Sequence, residues 1–202
     1  LGLYVPRWMT ADYPKIPAVG RFEADVFDPE KWVSHYYNPA FANCLPDDAF
    51  WAAKQVMAFS DEQIRGIVKT GEYSEPRAEN WIVSCLIRRR DKIGRAYFAK
   101  VLPLDRLAVK DNKLVFEDLA IKHGMLTSRN YTVQWSRFDN SGGQKTALAG
   151  ETAFTLPRAL EAAASGEYFA ADISGGDPKK TITVYLRKKA TETQVVGIDR
   201  TW

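Results

Sequence analysis

Apolar positions recur with two different periods along this chain, and the period changes near residue 100. Between Asp47 and Phe59 the apolar residues Ala49-Phe50-Trp51-Ala52-Ala53 and Val56-Met57 cover most of a helical circumference, which predicts a helix buried on more than one side. Ser60-Asp61-Glu62-Gln63 then has the Ser-x-x-Gln form of a capping box, and Ile64, Ile67 and Val68 follow at helical spacing before Gly71 ends the run. Ser74 and Pro76 open a further helix. Along it Ala78, Trp81, Ile82, Cys85, Leu86, Ile93, Ala96 and Tyr97 recur on one face, the pattern of a long amphipathic helix. The stretch from Asp47 to Tyr97 is therefore expected to be a helical hairpin or small bundle, with Trp81 and Leu86 turned into its core.

From Leu104 the runs become short, β-branched and aromatic, with turn residues between them. Leu104 to Val109 and Leu114 to Leu119 flank Lys110-Asp111-Asn112-Lys113, which reads as a hairpin loop. Tyr131, Val133 and Trp135 alternate with Thr132, Gln134 and Ser136, as in a half-buried strand, and Asp139-Asn140-Ser141-Gly142-Gly143 turns it. Further strands are expected at Lys145 to Ala149, Thr152 to Leu156, Tyr168 to Ile173, Thr181 to Lys188 and Gln194 to Asp199, with a short helix or crossover over Pro157 to Ser165. Strands at this spacing fit an antiparallel β-sandwich. The Tyr131-x-Val133-x-Trp135 strand and the final pair of strands resemble fibronectin type III and related immunoglobulin-like sandwiches, a resemblance that implies a fold and nothing about a site.

The first 45 residues obey neither period. Pro6, Pro14, Pro17, Pro29 and Pro39 forbid a long helix or a central strand, while Tyr4, Trp8, Tyr13, Phe22, Phe27, Trp32, Tyr36, Tyr37 and Phe41 are not the composition of a disordered tail. We expect this segment to wrap the helices, anchored through Phe27, Trp32, Tyr36 and Phe41, with one short helix from Pro29 to His35 capped by Asp28. The fold class is then α+β: an irregular wrapping segment over residues 1–45, a helical unit over 46–100 and a β-sandwich over 101–202.

A chain of 202 residues with 46% hydrophobic content can bury a substantial core. Its net charge of +3 reflects a mild excess of Lys and Arg rather than a basic tract, so nucleic acid is not implied as a partner. No run of about 18 apolar residues is present to cross a bilayer. The Leu1 start and the long irregular segment suggest the C-terminal part of a larger bacterial-type protein, and the aromatic-rich composition leans towards an extracytoplasmic setting, the cell envelope or periplasm. Cys44 and Cys85 are too few for a disulfide framework; Cys85 is expected as a buried free thiol, with a Cys44 to Cys85 disulfide as the alternative.

Few residues invite chemistry. His35 and His123 fall in expected loops outside any metal-ligand spacing, and neither a nucleophile elbow nor a phosphate-binding glycine loop occurs, so neither cofactor nor metal is expected. Asp47 and Asp48 suit a helix start. Asp139-x-Ser-Gly-Gly and Gly175-Gly-Asp177 suit tight turns better than calcium or phosphate loops. Ser60 to Trp81 has the spacing of a helix-turn-helix, but the second helix runs on too long with an apolar face to read a groove. The exception is a basic stripe. Arg88, Lys92 and Arg95 share one side of the long helix and are candidates for an anionic ligand or partner, or for structural pairing, while Arg89 points to the apolar side, within reach of a buried carboxylate from the wrapping segment.

These features favour a non-catalytic accessory or interaction domain, its partner an upstream domain of the same chain or another protein. The alternative is a hydrolase or small-ligand-binding protein with a site in the crevice between the helical unit and the sandwich, faced by the basic stripe and His123 or His35.

Overall fold

The computed structural model describes residues 5–202, which divide into two compact units, one ending at Tyr97 and one beginning at Phe98. Both α and antiparallel β structure are present, and no helix among the described residues is long and apolar enough to cross a membrane.

Among the described residues the first unit holds four α-helices: α1 (Pro39–Ala42), α2 (Pro46–Met57), α3 (Asp61–Lys69) and α4 (Pro76–Phe98). Ser60 caps α3 as its spacing predicts, its hydroxyl accepting from the Gln63 amide at 3.2 Å while the Gln63 side chain accepts from the Ser60 amide at 2.9 Å. Ile64 and Val68 of α3 pack on Val83 of α4, with Ile82, Leu86 and Ile87 half-buried around them. Trp81 is half-buried too, and its indole N–H donates to the Phe22 carbonyl at 2.8 Å. The expectation that α2 is buried on more than one side gives way to a single stripe, Phe50, Ala53 and Met57, with Trp51 largely exposed. Cys85 is enclosed in α4, Cys44 is exposed, and both are free thiols; burial pushes the Cys85 thiol up from its ordinary range.

Part of the irregular segment does wrap. Residues 22–29 run parallel to α4 and are tied to it: Trp81 to the Phe22 carbonyl, Arg89 to Glu23, Lys92 to the carbonyls of Ala24, Asp25 and Phe27, and Tyr97 to the Pro29 carbonyl. A segment without a ladder must find partners for its backbone groups elsewhere, and here long basic and aromatic side chains supply them. Past Pro29 the aromatics do not anchor. Trp32, Tyr36, Tyr37 and Phe41 are 58%, 86%, 82% and 58% exposed, and the expected helix from Pro29 to His35 is a single 3-10 turn, Pro29–Lys31, capped by Asp28. Tyr4 lies outside the described residues.

The second unit is an antiparallel hairpin, β1 (Leu104–Lys110) and β2 (Lys113–Asp118), with a five-stranded antiparallel sheet of β3 (Thr132–Asp139), β4 (Gln144–Ala147), β5 (Tyr168–Ser174), β6 (Thr181–Lys188) and β7 (Thr193–Arg200) in the order β4-β3-β5-β6-β7. Short helices α5 (Leu119–Lys122) and α6 (Arg158–Glu161) connect them. Asp111 and Asn112 both take positive φ, the geometry of a two-residue hairpin turn whose twist matches its strands. Period-two alternation then sorts the sheet's side chains. Val133, Trp135, Phe169, Ala171, Ile173, Ile182, Val184 and Leu186 are enclosed on one face, where Leu104 and Leu114 of the hairpin and Leu160 of α6 join them. Small Ala171 stands between Trp135 and Val184 across the ladders, which leaves room for the indole. The expected strand at Thr152 to Leu156 reduces to a bridge between Thr155 and Lys113, flanked by the Leu114 amide donating to Phe154 and the Leu156 amide to Asn112. Pro157 has no N–H to extend a ladder, and the chain turns there into α6.

Candidate functional site

The basic stripe is largely occupied by the protein itself. Lys92 Nζ donates to the carbonyls of Ala24, Asp25 and Phe27 at 2.7, 2.9 and 3.0 Å, so its ammonium is saturated by backbone oxygens. Arg88 pairs with the Asp25 carboxylate. Arg89 donates to the Glu23 carbonyl at 2.6 Å, reaches the buried Glu23 carboxylate at 3.5 Å and lies over the rings of Phe22 and Phe27 at 4.3 and 4.9 Å. Arg95 is exposed at the far end. The three candidates thus do not converge. Two of them clasp residues 24–27, and the stripe's geometry is that of a clamp on the wrapping segment.

Most of the remaining candidates are also engaged locally. His35 is exposed without a local bond among the described residues, and His123 follows α5 with its ring 6.1 Å from that of Phe98. Asp48 accepts from the Leu45 amide at 2.9 Å at the start of α2. Asp139 accepts from the Ser141 hydroxyl and amide at 2.7 and 2.9 Å, bonds that hold its carboxyl below the usual range, and Asp177 accepts from the Lys179 amide at 3.0 Å with the same effect. Both are self-contained turns. Among the described residues no group of three or more His, Cys, Asp or Glu side chains could hold a metal ion.

One titratable cluster is enclosed. Asp118 caps α5, its Oδ1 accepting from the amides of Ala120 and Ile121 at 2.8 and 3.2 Å, while its Oδ2 accepts from Arg129 Nε at 2.9 Å and from the Tyr131 hydroxyl at 2.8 Å. Burial, reinforced by the bond to Asp118, pushes the Tyr131 phenol up to about 12. These side chains bond to one another and so tie the hairpin and α5 to the segment that leads into β3. Side chains also pair across the outer face of the five-stranded sheet, with Lys145 on Asp172 at 2.7 Å, Phe138 against Tyr185 at 4.7 Å and Arg187 over Tyr168 at 5.5 Å.

The segment between Pro29 and Cys44 differs from these in lining its hollow with large aromatic side chains that are mostly exposed. Pro29, Trp32, Val33, Tyr36, Tyr37 and Phe41, with Tyr97 of α4, surround a hollow of about 350 Å³. The local structure that builds it is legible. Asp28 caps the turn Pro29–Lys31, Ser34 Oγ donates to the Tyr36 carbonyl at 2.6 Å, and Asn38 Oδ1 accepts from the Ala40 amide at 3.0 Å to start α1. These caps set the entry and exit of the loop. Trp32 and Phe41 then meet edge to face at 5.1 Å, and the Tyr97 hydroxyl fixes the near wall by donating to the Pro29 carbonyl at 2.9 Å. The aromatic density of this stretch was visible in the sequence but suggested anchoring; what marks it as a site is the contrast between its composition and its exposure. Comparison with protein-family models, with curated proteins and with solved structures finds no match for this chain.

Proposed function

We propose that this chain is a non-catalytic interaction module that engages its partner through the aromatic surface of residues 29–45. A single observation carries the reading: Trp32, Val33, Tyr36, Tyr37, Phe41 and Leu45 are all more than half exposed within one short, capped loop. Scattered exposed apolar residues are ordinary, but a contiguous patch of large ones beside a hollow marks a surface made to be covered. Aromatic anchors are also the residues that dominate binding energies at interfaces. In support of the module reading, Asp48, Asp139 and Asp177 serve caps and turns, and Arg88 and Lys92 serve the clamp. We read the second unit as a β-sandwich of immunoglobulin-like kind acting as a scaffold, a reading supported by the enclosure of one sheet face under the hairpin and α6. The partner we propose is another folded domain or protein.

The test places a photo-crosslinking amino acid at Tyr36 and, as a control, at Val196 on the exposed face of β7. Crosslinks specific to position 36 and lost on replacing Trp32 and Phe41 with Ala are expected. Equal labelling at both positions, or turnover of a chromogenic ester, phosphate or glycoside that a point substitution abolishes, overturns the reading.

A further inference from the structure

Charge runs against the chain's average around the hollow. The chain carries +3, yet the stretch from Asp28 to Asp48 contains four carboxylates, Asp28, Glu30, Asp47 and Asp48, and one lysine, Lys31. Lys31 is itself paired with Asp28 at 3.4 Å. Glu30 lines the hollow, and none of the lining residues is Lys, Arg or His. Five aromatic side chains complete the lining: Trp32, Tyr36, Tyr37, Phe41 and Tyr97. Aromatic faces carry negative quadrupole potential, so walls of this kind attract a cation that has little hydration to lose, and a carboxylate at the rim adds to the attraction. An inorganic cation would surrender its water for rings that cannot replace it, whereas an alkylated ammonium presents methyl groups to the rings and spreads its charge over them. A hollow of about 350 Å³ is on the scale of small-molecule pockets.

We propose that this hollow is a binding site for a small free quaternary ammonium compound of the choline type. The proposal goes beyond the interaction reading above and gives the hollow within that surface a ligand of its own. Trp32 and Phe41, already set edge to face, form two walls; Tyr97, tethered to the Pro29 carbonyl, forms a third; Glu30 places a carboxylate in the lining. Tyr36 and Tyr37 also line the hollow and are largely exposed beside it.

Cys44 provides the readout. It lines the hollow and is exposed, whereas Cys85 is enclosed in α4, so a neutral alkylating reagent modifies Cys44 first and its rate reports occupancy. Choline and tetramethylammonium are expected to slow alkylation of Cys44 in the folded chain. Choline should bind about tenfold or more tightly than its uncharged isostere, in which a quaternary carbon replaces the nitrogen, because only the charged form draws on the rings' quadrupoles. Trp32→Ala and Phe41→Ala should each abolish the protection, and Glu30→Gln should weaken it; a melting transition unchanged in each variant excludes unfolding as the cause. Equal protection by choline and the carbon isostere shows a merely apolar cavity and overturns the proposal. So does protection by a trimethyllysine peptide with none by choline, which assigns the hollow to a protein partner. If neither cation protects while crosslinking at position 36 stays site-specific, the ammonium assignment falls and the interaction reading stands; if both fail, both fall.

Discussion

Trp135 and Trp32 stand in stretches of similar aromatic content, yet Trp135 is fully enclosed and Trp32 is mostly exposed. The difference lies in what holds the backbone. Trp135 sits on β3 between two hydrogen-bonded neighbours, β4 and β5, so its main chain is satisfied by ladders and its side chain is delivered to one face by the pleat. Its one polar atom is met as well, the indole N–H donating to the Ala153 carbonyl at 2.8 Å. Trp32 follows the last tie to α4 at Pro29, in a loop whose bonds are local caps. Aromatic residues enter a core when the chain that carries them is anchored on both sides; where anchoring ends, the same residues become surface.

Substitutions on the two sides of this contrast should diverge widely. The largest loss is expected from Trp135→Ala, which removes the biggest enclosed side chain and should cost about 3–5 kcal/mol in urea denaturation. Asp118→Ala comes next at about 2–4 kcal/mol, since it strands the half-buried Arg129 and the amides at the start of α5. An Asp118→Ala protein as stable as wild type would show that this cluster does not hold hairpin and sheet together.

The clamp of the first unit should fall below these. Lys92→Met keeps the aliphatic stem but leaves three carbonyls without their shared donor, at a cost of about 1–3 kcal/mol, and residues 24–27 should become more open to hydrogen exchange. Unchanged exchange there would mean that water replaces the ammonium fully.

Alkaline pH offers a narrower probe. The Tyr131 phenol is raised from 10.0 to about 12 in the folded chain, so the folded state holds that proton more tightly than the unfolded one does. The stability tied to it is complete below about pH 10 and is lost as pH rises towards about 12. Tyr131→Phe should remove this component from the pH dependence; a curve of the same shape in the variant assigns the loss to other groups. Smallest of all should be Trp32→Ala, under about 1 kcal/mol, because little beyond the contact with Phe41 is given up. A Trp32→Ala loss as large as that of Trp135→Ala would mean that the hollow is core after all.

Local pattern was enough for much of the second unit and for the helices. Thr181 to Lys188 reads as a strand from its alternation and is one over that span, and Ser60 with Gln63 marks the start of α3 because both halves of the capping box lie within a single turn. Period and caps act over a few residues and are therefore written in the chain. Three things were not. Whether Thr152 to Leu156 becomes a strand depended on how many bonds β2 could offer before Pro157, a matter of neighbours brought from elsewhere. Whether Arg88 and Lys92 would face a ligand or the protein depended on where residues 24–27 came to lie along α4. Whether the aromatics after Pro29 would anchor or stay open depended on the supply of a surface to receive them. Periodicity says which residues share a face, but burial is a property of pairs of faces, and only the assembled chain decides which faces meet.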